Sequence, residues 1–291
     1  MKRLILFLLA LCPLAAFAQG GSEALPFVRT DLGPVLTGTA GAAVASQEVG
    51  PWSAFRSAAA IPMSEGLSCA GLDFRVDGTF PGGAAAFTFK PMDKLGVAIG
   101  AMYQSGDKIG DYRTNDIMLS AGAGFSLSEN LAVGANARFA KQRLTADISY
   151  SGLSLDLSVM GKFNDALGAI AGVSSLGGKV TSASGTQYSQ PANVYAGIDA
   201  GMQILDGTLS ADAMAEYYFS GSYAAAAGVS YVYQEALSVR LGFRYASQWC
   251  VMPTRLAAGV GYKFGDISFD ASFVRMSSQN IIALGIGYTI K

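Results

Sequence analysis

The sequence predicts an all-β protein, a 14-stranded antiparallel transmembrane β-barrel preceded by an N-terminal plug, or hatch. Three observations carry that expectation. The chain of 291 residues is 51% hydrophobic but only 14% charged, and holds 36 glycines; a soluble domain is usually ~25% charged. Beyond residue 20 no apolar run approaches the ~18 residues that a spanning helix needs. Fourteen segments alternate apolar with small or polar residues, and the connections between them alternate short with long.

Taken in chain order, the first element is an export signal, residues 1–18. Lys2 and Arg3 form a charged start, Leu4 to Leu11 an apolar core, and Ala16-Phe17-Ala18 a small-x-small cleavage motif, so cleavage is expected before Gln19. Cys12 raises the question of a lipoprotein, but Leu11 is too large for that processing site. Cleavage leaves 18 basic residues against 21 acidic ones. No basic stripe appears, which argues against a nucleic-acid partner.

The hatch is expected over 19–66. It does not alternate. Its stretch GTAGAAVAS (38–46) is small and apolar, and Pro51-Trp52 followed by SAFRSAAA could open a short helix.

The barrel is expected over 67–291. Its strands are read at 68–76, 83–90, 95–105, 114–127, 130–143, 152–163, 166–176, 192–205, 208–219, 222–234, 236–248, 254–264, 267–276 and 281–291. The hairpin IMLSAGAGFSLSENLAVGANARF (117–139) shows the rule. Ile117, Leu119, Ala121 and Ala123 alternate with Met118, Ser120, Gly122 and Gly124. After the turn, Leu131, Val133, Ala135 and Phe139 alternate with Gly134, Asn136 and Arg138. Period-two alternation marks a strand with two different faces. Here lipid is read on one side and the barrel interior on the other. Most segments match the ~9–11 residues of a tilted membrane strand. Closure matters because lipid offers the backbone no hydrogen-bond partner.

Connections after even-numbered strands are short: Ser128-Glu129-Asn130, Asp206-Gly207 and Gly265-Asp266 are examples. Those after odd strands are longer, as at 106–113, 144–151, 177–191 and 246–253. Short periplasmic turns and longer outer loops are the layout of outer-membrane barrels. The last strand, IIALGIGYTIK, places Ile282, Leu284, Ile286, Tyr288 and Ile290 toward lipid. On strand 236–248, Leu241 faces lipid and Gly242 faces inward, so Gly242→Ser is expected to cost much less than Leu241→Arg.

Inside the barrel small residues dominate. Fourteen strands would then enclose a water-filled hole unless the hatch occupies it. Phasing also turns charges inward: Arg138, Asp156, Asp212, Glu216, Arg240, Arg244, Arg255 and Lys263. They can line a polar pathway, or pair with each other and with the hatch to hold it; the balance of signs favours the second. Outside the signal Cys69 and Cys250 remain, and two unpaired thiols are preferred to a disulfide.

The sequence contains no histidine, which removes Ser-His-Asp chemistry and the commonest metal ligand. No GxSxG, P-loop or CxxC motif occurs. An enzyme is not expected, nor is a cofactor.

The segment 24–62, ALPFVRTDLGPVLTGTAGAAVASQEVGPWSAFRSAAAIP, resembles the N-terminal motif of PorV/PorQ-type outer-membrane proteins, relatives of the FadL-type channels. There a "PFL…D" opening leads to a Gly-rich "MGGAGVA" stretch and then "FxNPA". Here Pro26-Phe27-Val28, Asp31, Thr39 to Ala45 and Ala54-Phe55-Arg56-Ser57-Ala58 take those places. Arg56-Ser57 replaces the Asn-Pro. The resemblance implies a hatch-bearing barrel in the outer membrane. For some relatives it implies a platform for type IX secretion, with secretion-system proteins or exported cargo as partners. The alternative is a FadL-like transporter of hydrophobic or small compounds, with membrane lipid as surroundings and a hydrophobic small molecule as partner. A general diffusion porin fits less well, since the hatch would obstruct it.

Overall fold

The computed structural model describes residues 23–64, 66–77, 80–109, 112–145, 148–164, 166–181, 185–277 and 279–290. The expected signal, its cleavage site and Lys291 lie outside them. The strands are β1 (Ser68–Asp77), β2 (Phe80–Met92), β3 (Leu95–Ile109), β4 (Tyr112–Ser128), β5 (Leu131–Arg143), β6 (Ser149–Asn164) and β7 (Leu167–Gly177). A two-rung hairpin follows, β8 (Val180–Thr181) and β9 (Gln187–Tyr188). Then come β10 (Asn193–Ile204), β11 (Gly207–Tyr218), β12 (Tyr223–Tyr233), β13 (Leu237–Ala246), β14 (Arg255–Phe264), β15 (Ile267–Met276) and β16 (Asn280–Ile290).

All except β8 and β9 form one closed antiparallel barrel of fourteen strands. Each strand pairs with its sequence neighbour in the wall, and β1 closes on β16 from Ser68↔Ile290 to Asp77↔Ile281. Closure leaves no edge whose N–H and C=O groups would face lipid. No helix among the described residues is long and apolar enough to cross a membrane.

The expected faces are the observed ones. On β16, Ile282, Leu284, Ile286, Tyr288 and Ile290 are exposed on the outer wall while Ala283 is buried within. Exposed aromatics mark both ends of the wall. Phe163, Tyr262, Phe264 and Tyr288 sit at the end carrying the short turns, and Tyr103, Tyr217, Tyr223 and Tyr245 at the other. Such girdles accompany the two membrane interfaces of barrels.

Two outer loops are shorter than the sequence reading. β3 and β4 run on to Ile109 and Tyr112, and β6 begins at Ser149. Above the bilayer both faces meet water, so alternation fades while the backbone ladder continues. β7 carries an irregularity: its register with β6 shifts at Leu155/Leu157. Ser175 there adopts a positive φ of 56°.

Residues 23–64 lie in the lumen. They form a 3-10 turn at Pro26–Arg29, a short α-helix at Pro34–Gly38, and two further 3-10 segments at Gln47–Ala54 and Ala58–Met63. Leu36, Val44, Trp52, Phe55 and Ile61 pack with the inward Met102, Met118, Met160 and Met214 in one buried apolar cluster. Methionine suits such a contact, because its unbranched side chain fills irregular gaps.

Candidate functional site

The inner wall is a mould for the hatch. A Cβ on Gly124 would lie 2.0 Å from the Ala58 carbonyl oxygen, and one on Gly134 2.1 Å from the Ala59 amide nitrogen. Gly100 makes way for the Phe55 ring in the same manner. Gly242 makes way for Thr39, whose carbonyl carbon would stand 2.1 Å from an added Cβ. This corrects the expectation that Gly242→Ser would be mild. Facing inward here means facing hatch backbone, which cannot move aside as water would.

Irregular backbone in a water-poor lumen must find polar partners. The strands supply them. Asn136 on β5 accepts from Ala58 N at 2.9 Å and donates to Ala54 O at 2.9 Å and Ser53 O at 3.3 Å. Arg138 donates to Val28 O at 2.9 Å. On β1, Asp73 accepts from Gly33 N at 2.8 Å, and Arg75 donates to Asp31 O at 3.1 Å. Ser57 and Ser158 join hydroxyl to hydroxyl at 2.7 Å.

Charges complete the attachment, and here the expected residues can be placed in turn. Arg138 pairs with Asp156 on the next strand. Asp156 also accepts from Ser175 N at 2.7 Å, satisfying the backbone at the β7 irregularity. Glu216 is the central acceptor. It receives Arg29 and Arg56 from the hatch, the latter at 3.0 Å, and Arg244 from β13. The Tyr218 hydroxyl donates to it at 3.1 Å. Arg255 pairs with Asp31 of the hatch, and Arg240 with Asp270 at 2.8 Å.

Two residues differ from expectation. Asp212 is buried inside, but it stands opposite Asp199 in register and hydrogen-bonds that carboxyl, where pairing between opposite charges was expected. Lys263 has the inward phase, yet it lies at the rim where the lumen widens and is exposed. Asp73, Arg75 and Asn136 are uncounted among the expected inward site residues, though the inward phase of the same alternation marks all three. The hatch residues Arg29, Asp31 and Arg56 carried no strand phase that could mark them.

At the short-turn end, where β1 begins and β16 ends, the lumen opens into a cavity of about 1130 Å³. Its inner limit is hatch surface, Pro34, Pro51 and Trp52, and its rim carries Lys90, Glu235, Lys263 and Asp266. At the opposite end the start of the hatch touches the outer loop: Ala24 N donates to Ser189 O at 2.8 Å. Tyr188 of the β8–β9 hairpin meets Tyr150 edge to face. Glu23, hydrogen-bonded to Ser220, is half-buried there, and burial raises its carboxyl pKa against that bond and the nearby Arg29. Cys69 lies at the cavity end and Cys250 in the outer loop after β13; both are free. Among the described residues no group of three or more His, Cys, Asp or Glu side chains is arranged to hold a metal ion.

A closed fourteen-strand barrel with an apolar outer wall and a segment seated inside defines a plugged outer-membrane barrel protein. Its fold is FadL-like. It is similar to the toluene transporter TbuX of Ralstonia pickettii, with a TM-score of 0.68 and 14% identity over 89% of this chain and 98% of that one. The monoaromatic hydrocarbon channel CymD gives a TM-score of 0.66 at 14% identity, covering 89% of this chain and 97% of its own. A FadL homologue from Pseudomonas aeruginosa gives 0.61 at 11% identity, over 89% and 99%. No protein-family model matches the sequence. No curated protein matches it either.

Proposed function

We propose that the protein carries small hydrophobic compounds across the outer membrane, with the hatch as its moving part. The observation that carries this reading is how the hatch is held. Apart from its continuity with β1 and one backbone hydrogen bond from Ala24 to Ser189, it is attached by side-chain hydrogen bonds, ion pairs and apolar packing, all of them reversible. Beyond it lies the cavity at the short-turn mouth, a ready exit once the hatch shifts. The toluene and monoaromatic hydrocarbons for which TbuX and CymD are named support the class of cargo.

A second reading has its own observation. The 24–62 segment resembles PorV/PorQ-type proteins, and a lumen this tightly filled also suits a platform that binds secretion components. Uptake of radiolabelled toluene by cells with and without the protein tests the first reading; equal uptake would overturn it. Pull-down from native membranes that recovers secretion-system proteins would favour the second.

A further inference from the structure

Glu216 anchors more positive charge than it can neutralise. Its oxygen Oε1 receives Arg29 and Arg56, and Oε2 receives Arg244 and the Tyr218 hydroxyl. Three guanidinium groups thus share one carboxylate, and every side chain in the group is at least nine-tenths buried. The fourth arginine nearby, Arg138, is already matched by Asp156. Glu23, at the outer edge of the group, is only half-buried and can offset part of the Arg29 charge, which still leaves more guanidinium than carboxylate around Glu216. Buried charge without a counter-charge is strongly unfavourable.

Polar atoms in the same neighbourhood are also left over. Arg29 Nε, Arg56 Nε and Arg244 Nε have no hydrogen-bond partner among the described residues, nor does either amide atom of Asn193 or the hydroxyl of Ser174. Asn193 stands opposite Tyr218 across β10–β11 and opposite Ser174 across β7–β10. The Arg29 guanidinium lies 6.0 Å from the Tyr218 ring centre, which brings the surplus charge to the same row of the wall. Buried orphan groups in native proteins call for a partner, and a bound ion is one that these donors suit.

From the excess of guanidinium and these orphan donors, we infer that a small inorganic anion resides between the hatch and β7, β10 and β11, held by Arg29, Arg56, Asn193 and Ser174. This goes beyond the transport reading and does not depend on it. The site takes halide or oxyanion chemistry. An oxyanion would use the planar guanidinium donors best. The anion would act as a pin, offsetting the charge that the hatch arginines bring into the lumen.

The test uses the intact protein in detergent, exchanged into gluconate at constant ionic strength. Chloride or phosphate is titrated in separate arms, and the temperature at which the folded gel band is lost is followed. One anion should raise it saturably, and the arm that does so at lower concentration identifies the chemistry. Arg56→Met should weaken half-saturation by about tenfold, the loss of one charge-assisted bond of roughly 1.4 kcal/mol. Glu216→Gln, which leaves more unneutralised charge, should tighten it. No dependence on either anion, or the same dependence in wild type and Arg56→Met, would overturn the site. Should either variant fail to fold, wild-type crystals soaked in bromide give the answer independently. A bromide peak within hydrogen-bonding distance of Arg29 or Arg56 supports the site, and none there refutes it.

Discussion

The two faces of one strand are built to different rules. On β13 the outward Val239, Leu241 and Phe243 are 45%, 54% and 47% exposed, and each meets lipid that conforms to any apolar shape. The inward Arg240, Gly242 and Arg244 each meet one particular partner: Asp270, Thr39 and Glu216. The outer wall therefore constrains polarity and leaves shape free. The inner wall constrains shape and pairing residue by residue, because close-packed interiors do not flow around a changed side chain. A sequence pattern records both faces as the same alternation, although their tolerance to substitution differs.

Four experiments can break or sharpen that contrast. The largest effect is expected from removing the inner partner altogether. Deleting 22–60 while keeping residues 1–18 and the expected cleavage site should turn a barrel that conducts little into one with a large, steady conductance in planar bilayers, since fourteen small-lined strands enclose a wide lumen. A large conductance from the intact protein would favour a porin instead. No increase on deletion, with folding confirmed by gel shift, would show that something other than the hatch closes the lumen.

Next in size is Glu216→Ala, which strands three buried guanidinium groups. Leaving buried charge unpaired costs about 3–5 kcal/mol. The loss should appear in denaturant unfolding of the detergent-solubilised barrel, and a change under 1 kcal/mol would mean that the arginines find other partners. On the outer face, Leu241→Arg should cost about 2–4 kcal/mol if the site lies near the bilayer midplane. Replacement by another apolar residue there should be almost silent.

The smallest of the four is the most discriminating. Gly242→Ser should cost about 1–3 kcal/mol by overpacking against Thr39. In the hatch-deleted barrel the same change should be nearly neutral. Equal costs in the two backgrounds would mean that the wall itself, and not the hatch, requires glycine at 242.

The strands were legible because lipid imposes one rule along the whole wall. All fourteen are found within a few residues of their expected bounds. Ends were less legible, as at β3–β4, where polar residues on both faces still pair. Arg138, Asp156, Glu216, Arg240, Arg244 and Arg255 carry the inward phase and are buried, and the same phase was available for Asp73, Arg75 and Asn136. Partners were harder to read. Asp212 faces Asp199 because register across β10–β11 places them opposite each other, and register depends on turn geometry more than on phase.

The sequence by itself determined which residues face lipid and which face inward. A bilayer is a uniform solvent, and a period of two reports it locally. It also determined that a non-alternating segment precedes the wall. Only the tertiary structure decided what the interior glycines and charges are for. The hatch lies far along the chain from most of the strands it touches: Arg29 meets Glu216 across 187 residues, and Arg255 meets Asp31 across 224. No local pattern encodes such a contact. Two irregular surfaces acquire complementary shape and charge when the barrel closes around the hatch.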